Sequence, residues 1–190
     1  MNEAKNRVLQ DDAEKHGWIL TARGHKVYPL AAETRQIHLE DIAHALSMQN
    51  RWNGHTRWPF SVAQHSVMTS LNVVNYPREA LLHDATEAYV SDVPRPVKQQ
   101  MPEFQDHEER LMKVIMRRFK LEYPLPQEVH DIDRDMLIVE ARDLFYPERA
   151  TMIFGERARR VVAGYPRLEP WDQLKSKRLF LQRAQELGIK

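Results

Sequence analysis

Residues 80–88 read ALLHDATEA, an apolar segment of helical character that contains His83, Asp84 and Glu87. Glu87 follows His83 by four positions and Asp84 by three, so one flank of a helix presents all of these side chains. An ionised carboxylate is costly to bury without a partner, and a buried cluster of these residues therefore favours a bound cation. An exposed polar stripe is the alternative, because charged pairs are common on helix surfaces.

Asp133 lies in another helical segment, and its neighbours one turn away are apolar. They are Val129, Met136 and Leu137. This spacing predicts a carboxylate on the apolar face of a helix, where it needs a partner. Asp131 and Asp135 point elsewhere around the helix, and we interpret them as solvated or capping residues. A second His-Asp dipeptide, at 130–131, opens a polar helix start, and we give it no role in a site.

His65 follows a predicted helix start, because Ser61 and Gln64 match the S-x-x-Q capping box of a helix that runs to about residue 74. Taken alone, His65 is either a satisfied core histidine or a metal ligand. Combined with the residues above, it completes a set of two imidazoles and two carboxylates on three helices. The set is His65, His83, Asp84 and Asp133. Such nitrogen and oxygen ligands suit Mn, Fe, Co, Zn or Mg.

A loop rich in basic and aromatic residues precedes the His65 helix. Arg51 and Arg57 flank it together with Trp52 and Trp58, and His55 lies between them. An arginine can bind a phosphate in two-pronged fashion, and an indole can cover a sugar or a base. The alternative is that Arg51 and Arg57 are ordinary surface residues without a binding role.

A proline-rich corner, DVPRPVK at residues 92–98, ends the His83 helix. Asp92 and Lys98 bracket it, so a carboxylate is available for a sugar hydroxyl and an ammonium group for a phosphate. A capped, solvated turn is the alternative.

The remaining pattern predicts an all-α fold. Apolar residues recur at helical spacing in 39–46, 104–115, 129–139 and 174–184. Residues 18–30 alternate briefly around Gly24, which predicts a small N-terminal β-hairpin. Neither repeats nor low-complexity tracts interrupt the chain, so we expect a single domain.

Composition limits the possible chemistry. The 190 residues carry 28 Lys plus Arg against 27 Asp plus Glu, a net charge of +1, so binding to a nucleic-acid polymer is not expected. The chain has no cysteine, which leaves His, Asp and Glu as its strong metal ligands. The N-terminus is polar and the longest charge-free stretch, 60–77, contains many polar residues. We therefore predict no signal peptide, no membrane span and a cytoplasmic location.

The order His65, His83-Asp84, Asp133 resembles the H…HD…D signature of HD-domain metal-dependent phosphohydrolases. The surrounding sequence is similar to the 5′-deoxynucleotidase branch, which includes short bacterial and phage chains such as phage dATP triphosphohydrolases. The matching segments are DIAHAL at 41–46, NRW at 50–52, GH at 54–55, VAQHS at 62–66, HDATEA at 83–88 and DVPRPVK at 92–98. The resemblance covers about residues 39–144 and leaves 1–38 and 145–190 as an N-terminal and a C-terminal helical extension.

The resemblance implies an HD-domain helical bundle with one divalent metal ion, Mn, Co, Zn, Fe or Mg. The ion would be bound by His65, His83, Asp84 and Asp133. Glu87 would be the acid/base partner, Arg51 would bind the phosphate, and Asp92 would lie near the sugar 3′-hydroxyl. Domains of this kind commonly oligomerise, so we expect a homo-oligomer, a dimer or larger.

The expected activity is hydrolysis of the 5′-phosphate of deoxyribonucleoside monophosphates in a bacterial or phage-infected cytoplasm, with Glu87, Asp84 and Arg51 as catalytic residues. The substrate-binding residues would be Arg51, Trp52, His55, Arg57, Asp92 and Lys98. A dNTP triphosphohydrolase with the same site is the first alternative, with Arg57, Arg95, Lys98 and His55 as additional cations. The second alternative is an HD module that senses a nucleotide without turnover.

Overall fold

The structure, a computed structural model, describes residues 17–145 and 147–190. An antiparallel hairpin opens it, with β1 at Ile19–Leu20 and β2 at Lys26–Val27. Gly24 lies between the strands at a φ of 82°, a left-handed conformation that favours glycine. The predicted hairpin is therefore confirmed, and residues 1–16 of the predicted N-terminal extension lie outside the described residues.

Helices make up most of the described chain, and the predicted all-α class is confirmed. Their bounds are α1 Leu39–Met48, α2 Val62–Asn72, α3 Pro77–Leu81, α4 Glu87–Val90, α5 Arg95–Lys98, α6 Pro102–Phe119, α7 Gln127–Leu144, α8 Pro147–Ala163 and α9 Gln173–Glu186. Short 3-10 segments lie at Pro29–Ala31, Thr34–Gln36 and Arg51–Gly54. Within the described ranges, each helix is too short or too polar to cross a lipid bilayer.

The start of α2 is fixed by its cap. Ser61 Oγ accepts a hydrogen bond from the backbone N–H of Gln64 at 3.1 Å, which is one half of the predicted capping box. The other half is absent, because Oε1 of Gln64 has no hydrogen-bond partner among the described residues; its Nε2 instead donates to the carbonyl of Glu169 at 2.7 Å. Gln64 therefore ties the helix that carries His65 to the C-terminal part of the chain.

The helix predicted to run through His83 is interrupted. α3 ends at Leu81, α4 begins at Glu87, and residues 82–86 form turns. In a continuous helix the carbonyl of Ala80 would accept the N–H of residue 84. Here it lies 2.7 Å from Nδ1 of His83, which takes over this backbone acceptor. His83 and Asp84 therefore occupy a turn and do not share one helix flank with Glu87.

α2 occupies a central position, since it packs against α1, α3, α7 and α9. The main core joins Ile42 of α1, Ala63 of α2, Ile115 of α6 and Phe180 of α9, all fully buried. A second cluster lies around α7 and includes Phe60, Met136, Val139, Leu144 and Leu168. The C-terminal helix thus belongs to the core that surrounds α2.

Candidate metal centre

His65 lies on α2 with its side chain fully buried, and its Nδ1 is 2.6 Å from Oε1 of Glu140 on α7. Burial opposes the ionisation of Glu140, yet the charges of Arg51 and His65 hold its pKa below the usual value. An ionised carboxylate can only accept hydrogen bonds, so Nδ1 of His65 donates. Whenever the ring of His65 is neutral, its Nε2 atom therefore carries a lone pair.

His83 reaches the same point from the turn between α3 and α4. Its Nδ1 donates to the carbonyl of Ala80, because a carbonyl oxygen only accepts. Whenever the ring of His83 is neutral, it therefore also presents a bare Nε2. The Nε2 atoms of His65 and His83 lie 3.1 Å apart, and two lone pairs at this distance repel unless a cation or a proton lies between them.

Asp133 completes the group from α7. Its Oδ1 lies 3.1 Å from Nε2 of His65 and 3.7 Å from Nε2 of His83. The three ligand atoms lie within 4.8 Å of one another. Ligands bound at about 2.1 Å to one ion are roughly 3.0–3.4 Å apart. His65, His83 and Asp133 can therefore hold a metal ion, and their donor atoms suit a first-row divalent ion.

Asp84, the fourth predicted ligand, stands beside this group. Its Oδ2 lies 3.3 Å from Nε2 of His83 and 3.5 Å from Nε2 of His65. The same oxygen accepts a hydrogen bond from NH1 of Arg51 at 3.3 Å. Asp84 is thus shared between the imidazoles and the arginine.

The pKa values around the group indicate a demand for positive charge. Burial opposes the ionisation of Asp84 and Asp133, yet the imidazoles hold the pKa of both carboxyl groups well below the usual range. Burial also lowers the pKa of a histidine, but Asp84 and Asp133 raise the pKa of His83 well above its usual value. The pKa of His65 is raised by Glu140 and Asp133 against burial and the charge of Arg51. A metal ion at the Nε2 atoms would meet this demand.

Glu140 connects several residues of the site and is not among the site residues predicted from the sequence. Its side chain is fully buried, and its Oε2 accepts hydrogen bonds from Nε of Arg51 at 3.0 Å and from Nε1 of Trp52 at 2.8 Å. Its Oε1 binds His65. Glu140 follows Asp133 by seven residues, about two helical turns, so the two share one face of α7. That spacing was the signal available in the sequence.

A first cavity, about 540 Å³ in volume, opens beside the metal group. The predicted site residues that line it are Arg51, Trp52, Asp84, Glu87, Asp92, Lys98 and Asp133. Oε2 of Glu87 is buried and has no hydrogen-bond partner within the described part of the chain. Burial and the charge of Asp84 raise the pKa of Glu87 well above its usual value. A carboxyl group that retains a proton easily therefore borders the cavity.

Comparison with known proteins gives the chain a family. No protein-family model matches it. It is 38% identical to the uncharacterized protein YfdR of Escherichia coli (strain K12) over 128 residues, which cover 67% of this chain and 72% of YfdR. The chain belongs to the YfdR family. The uncharacterized protein RCAP_rcc00048 of Rhodobacter capsulatus is 29% identical over 180 residues, 85% of this chain and 92% of that protein. That similarity extends beyond residues 39–144.

Two expected phosphate-binding side chains have protein partners in this member of the YfdR family. Nζ of Lys98 lies 2.7 Å from Oε1 of Glu108, so Lys98 lines the first cavity as half of an ion pair. Arg57 donates from NH2 to the carbonyl of Asp143 at 2.7 Å and lies over the ring of Trp58. Arg57 is not among the residues that line the first cavity.

The other expected residues of this YfdR-family chain divide between two cavities. Asp92 is half-buried at the first cavity, and burial raises its pKa. His55 is exposed and lines a different, apolar cavity. His130, which the sequence analysis gives no role, is exposed, and Asp131 pairs with Arg134.

Proposed function

We propose that the chain is an HD-domain metal-dependent phosphohydrolase that removes the 5′-phosphate of deoxyribonucleoside monophosphates. One observation carries the proposal: the Nε2 atoms of His65 and His83 approach to 3.1 Å beside Asp133, while each Nδ1 is already used by another acceptor. Metal-assisted hydrolysis at phosphorus requires a cation-binding group next to a cavity that is open to the substrate.

A divalent ion held by His65, His83 and Asp133 would lower the pKa of water and polarise a phosphoryl oxygen. Arg51 lines the same cavity, and only its Nε and NH1 groups bind Glu140 and Asp84. A guanidinium has five N–H donors, so others remain for phosphate oxygens.

Glu87 supplies the proton chemistry. Glu87 lines the first cavity together with Asp84, and its buried Oε2 has no hydrogen-bond partner among the described residues. In the reaction, the bond between phosphorus and the 5′-oxygen breaks, water adds to phosphorus, and the 5′-oxygen takes up a proton. Glu87 accepts the proton of the water or donates one to the leaving oxygen.

The partners of two expected cations, Lys98 and Arg57, support one phosphate over three, although Arg95 also lines the first cavity. A triphosphate needs more cationic partners than a single phosphate. Lys98 is paired with Glu108, and Arg57 is bound to the Asp143 carbonyl outside the cavity. The resemblance of HDATEA at 83–88 and DVPRPVK at 92–98 supports deoxynucleotides as the substrate class, and with it a homo-oligomer in the cytoplasm.

Product analysis tests the proposal. The purified chain is incubated with the four dNMPs and the four dNTPs in Mn or Co, and the products are separated by anion-exchange chromatography. Orthophosphate and deoxynucleoside are expected from dNMPs, with at least a 100-fold loss in Asp84→Asn and Glu87→Gln, on the order of the loss for a key transition-state contact. Glu122→Gln, at an exposed carboxylate, is the control.

Each other outcome has a defined meaning. Triphosphate released from dNTPs would replace the proposal with the triphosphohydrolase. Metal binding without turnover of any nucleotide would favour a sensing module. Unchanged turnover in both Asp84→Asn and Glu87→Gln would reject this site.

A further inference from the structure

A second cavity, also about 540 Å³ in volume, is lined mainly by apolar side chains. Trp52, Pro94, Phe145 and Ile153 contribute to its walls, and Asn53 and His55 add polar groups. The volume lies within the range of about 300–1,000 Å³ that is usual for small-molecule sites. Mostly apolar walls with a few polar groups suit a flat aromatic ring that carries hydrogen-bonding atoms at its edge.

The second cavity shares a wall with the first, since Trp52, Asn53 and Pro94 line both. The indole in this wall is fixed at both ends. Nε1 of Trp52 donates to Oε2 of Glu140 at 2.8 Å, and the ring meets Phe145 edge-on, with 5.1 Å between centroids. Glu140 also binds His65, so one carboxylate holds both the indole of the shared wall and a histidine of the metal group.

α8 contributes to both cavities through consecutive residues. Ile153 lines the second cavity and Phe154 lines the first. Met152, the preceding residue, lines neither cavity. Ile153 is 67% exposed and Met152 is 71% exposed, so a polar substitution at either leaves the core intact. The two positions form a matched pair for mutagenesis.

We propose that the second cavity binds the base of the nucleotide, with the phosphate in the first cavity and the sugar passing the wall at Trp52. This rests on the proposed function, which supplies the phosphate end. Trp52 and Phe145 offer aromatic surface to a heterocycle, and Asn53 and His55 lie near its polar edge. A phosphate or a sugar alone would leave its polar groups unsatisfied against these walls.

Nucleosides without a phosphate test the second cavity directly. Thymidine and 2′-deoxyadenosine are titrated into the full chain, and Kd is measured by saturation-transfer difference NMR. Ile153→Asp should weaken binding at least tenfold because it puts a charge on the wall, whereas Met152→Asp should stay within twofold of wild type. Absence of nucleoside binding in wild type, or equal effects of the two variants, would overturn the proposal.

A kinetic comparison gives an independent readout. The ratio of kcat/KM for dAMP to that for 2-deoxyribose 5-phosphate should fall about tenfold in Ile153→Asp and stay constant in Met152→Asp. An unchanged ratio in Ile153→Asp would overturn the base subsite while leaving the phosphohydrolase intact. Conversely, nucleoside binding that depends on Ile153, without phosphate release from any dNMP, would retain the subsite and reject the proposed function.

Discussion

Nδ1 of His65 lies 2.6 Å from Oε1 of Glu140, and both side chains are fully buried. A carboxylate that accepts the N–H of an imidazole fixes the ring and directs its other nitrogen towards a metal ion. Glu140 also accepts hydrogen bonds from Arg51 and Trp52. One carboxylate therefore orients a metal-group residue, an arginine that lines the first cavity and the indole that lines both cavities.

Glu140→Gln should weaken metal binding, because the amide keeps the size of the side chain but loses its charge. We expect metal affinity to fall about 10–100-fold, the range for partners of metal-binding histidines. Co(II) titration followed by visible absorption measures the change. Glu122→Gln, at an exposed position, should bind like wild type. If Glu140→Gln binds Co(II) with wild-type affinity, Glu140 does not support metal binding.

Removing the metal should lower Tm, because a ligand that binds only the folded state stabilises it. The gain is about 2.7 kcal/mol at a free metal concentration 100-fold above Kd. Asp133→Asn should lose this gain, since its Oδ1 lies 3.1 Å from Nε2 of His65, and Asp131→Asn should keep it. Calorimetry with and without a chelator measures both. If the Tm of the wild-type protein is the same with and without the chelator, no stabilising metal ion is bound.

Arg51 and Arg57 should differ sharply in catalysis although they belong to the same loop. Arg51→Ala should reduce kcat/KM for a dNMP by at least about 100-fold, because it removes a guanidinium that lines the first cavity and contacts Asp84 beside the metal group. Arg57→Ala should change it by less than about threefold, since Arg57 binds the carbonyl of Asp143. Steady-state kinetics with circular dichroism as a fold control distinguishes them. Equal losses would contradict this division.

Asp143 should make stability depend on pH. Burial opposes its ionisation, but Arg142, the Leu168 N–H and Arg167 hold its pKa below the usual value. The folded protein keeps this carboxylate ionised at lower pH than the unfolded chain does. Its contribution is therefore complete above the unfolded pKa of about 3.9 and is lost as pH falls through the lowered folded pKa.

Asp143→Asn should therefore lower the free energy of unfolding by about 3 kcal/mol at pH 7, the cost of breaking a buried ion pair. Below about pH 4 the difference from wild type should shrink. Urea unfolding in the presence of a chelator, at a series of pH values, measures it. Asp106→Asn, at an exposed carboxylate, should show little difference at any pH. If the difference in free energy of unfolding between wild type and Asp143→Asn is the same at every pH, the prediction is wrong.

Gly155→Ala should destabilise the protein. Gly155 has φ 58° and ψ −142°, a conformation that interrupts α8 and that side-chain-bearing residues avoid. The expected cost is about 1–3 kcal/mol in urea unfolding. Gly164→Ala is the control, because its Cβ would meet only the Val161 carbonyl oxygen at 3.6 Å, an ordinary contact. Equal stability of the two variants would mean that a side chain at position 155 adds no strain to the break in α8.

The residues of the metal group could be found from the sequence because each is a polar side chain in apolar surroundings. Asp133 has apolar neighbours one helical turn away, and His65 follows a helix cap that the structure retains. The contacts between helices that bring them together cannot be derived from spacing alone. They depend on the packing of α2 against α7.

The break at residues 82–86 could not be predicted from local propensity. ALLHDATEA contains no proline or glycine, and the helix ends at Leu81, where Nδ1 of His83 donates to the carbonyl of Ala80. The hydrogen-bond and ion-pair partners of the long basic side chains could not be predicted from the sequence either. Glu108 on α6 pairs with Lys98 at the end of the proline-rich corner, and the Asp143 carbonyl that binds Arg57 lies 86 residues away in the chain.

Arg183 on α9 donates to the hydroxyl and to the carbonyl of Ser70 on α2, the helix that carries His65. Phe180 and Ala184 of the same helix lie in the main core. Stepwise shortening from the C-terminus should therefore abolish cooperative unfolding and not simply trim an accessory tail. A minimal folded fragment of this protein must therefore retain α9.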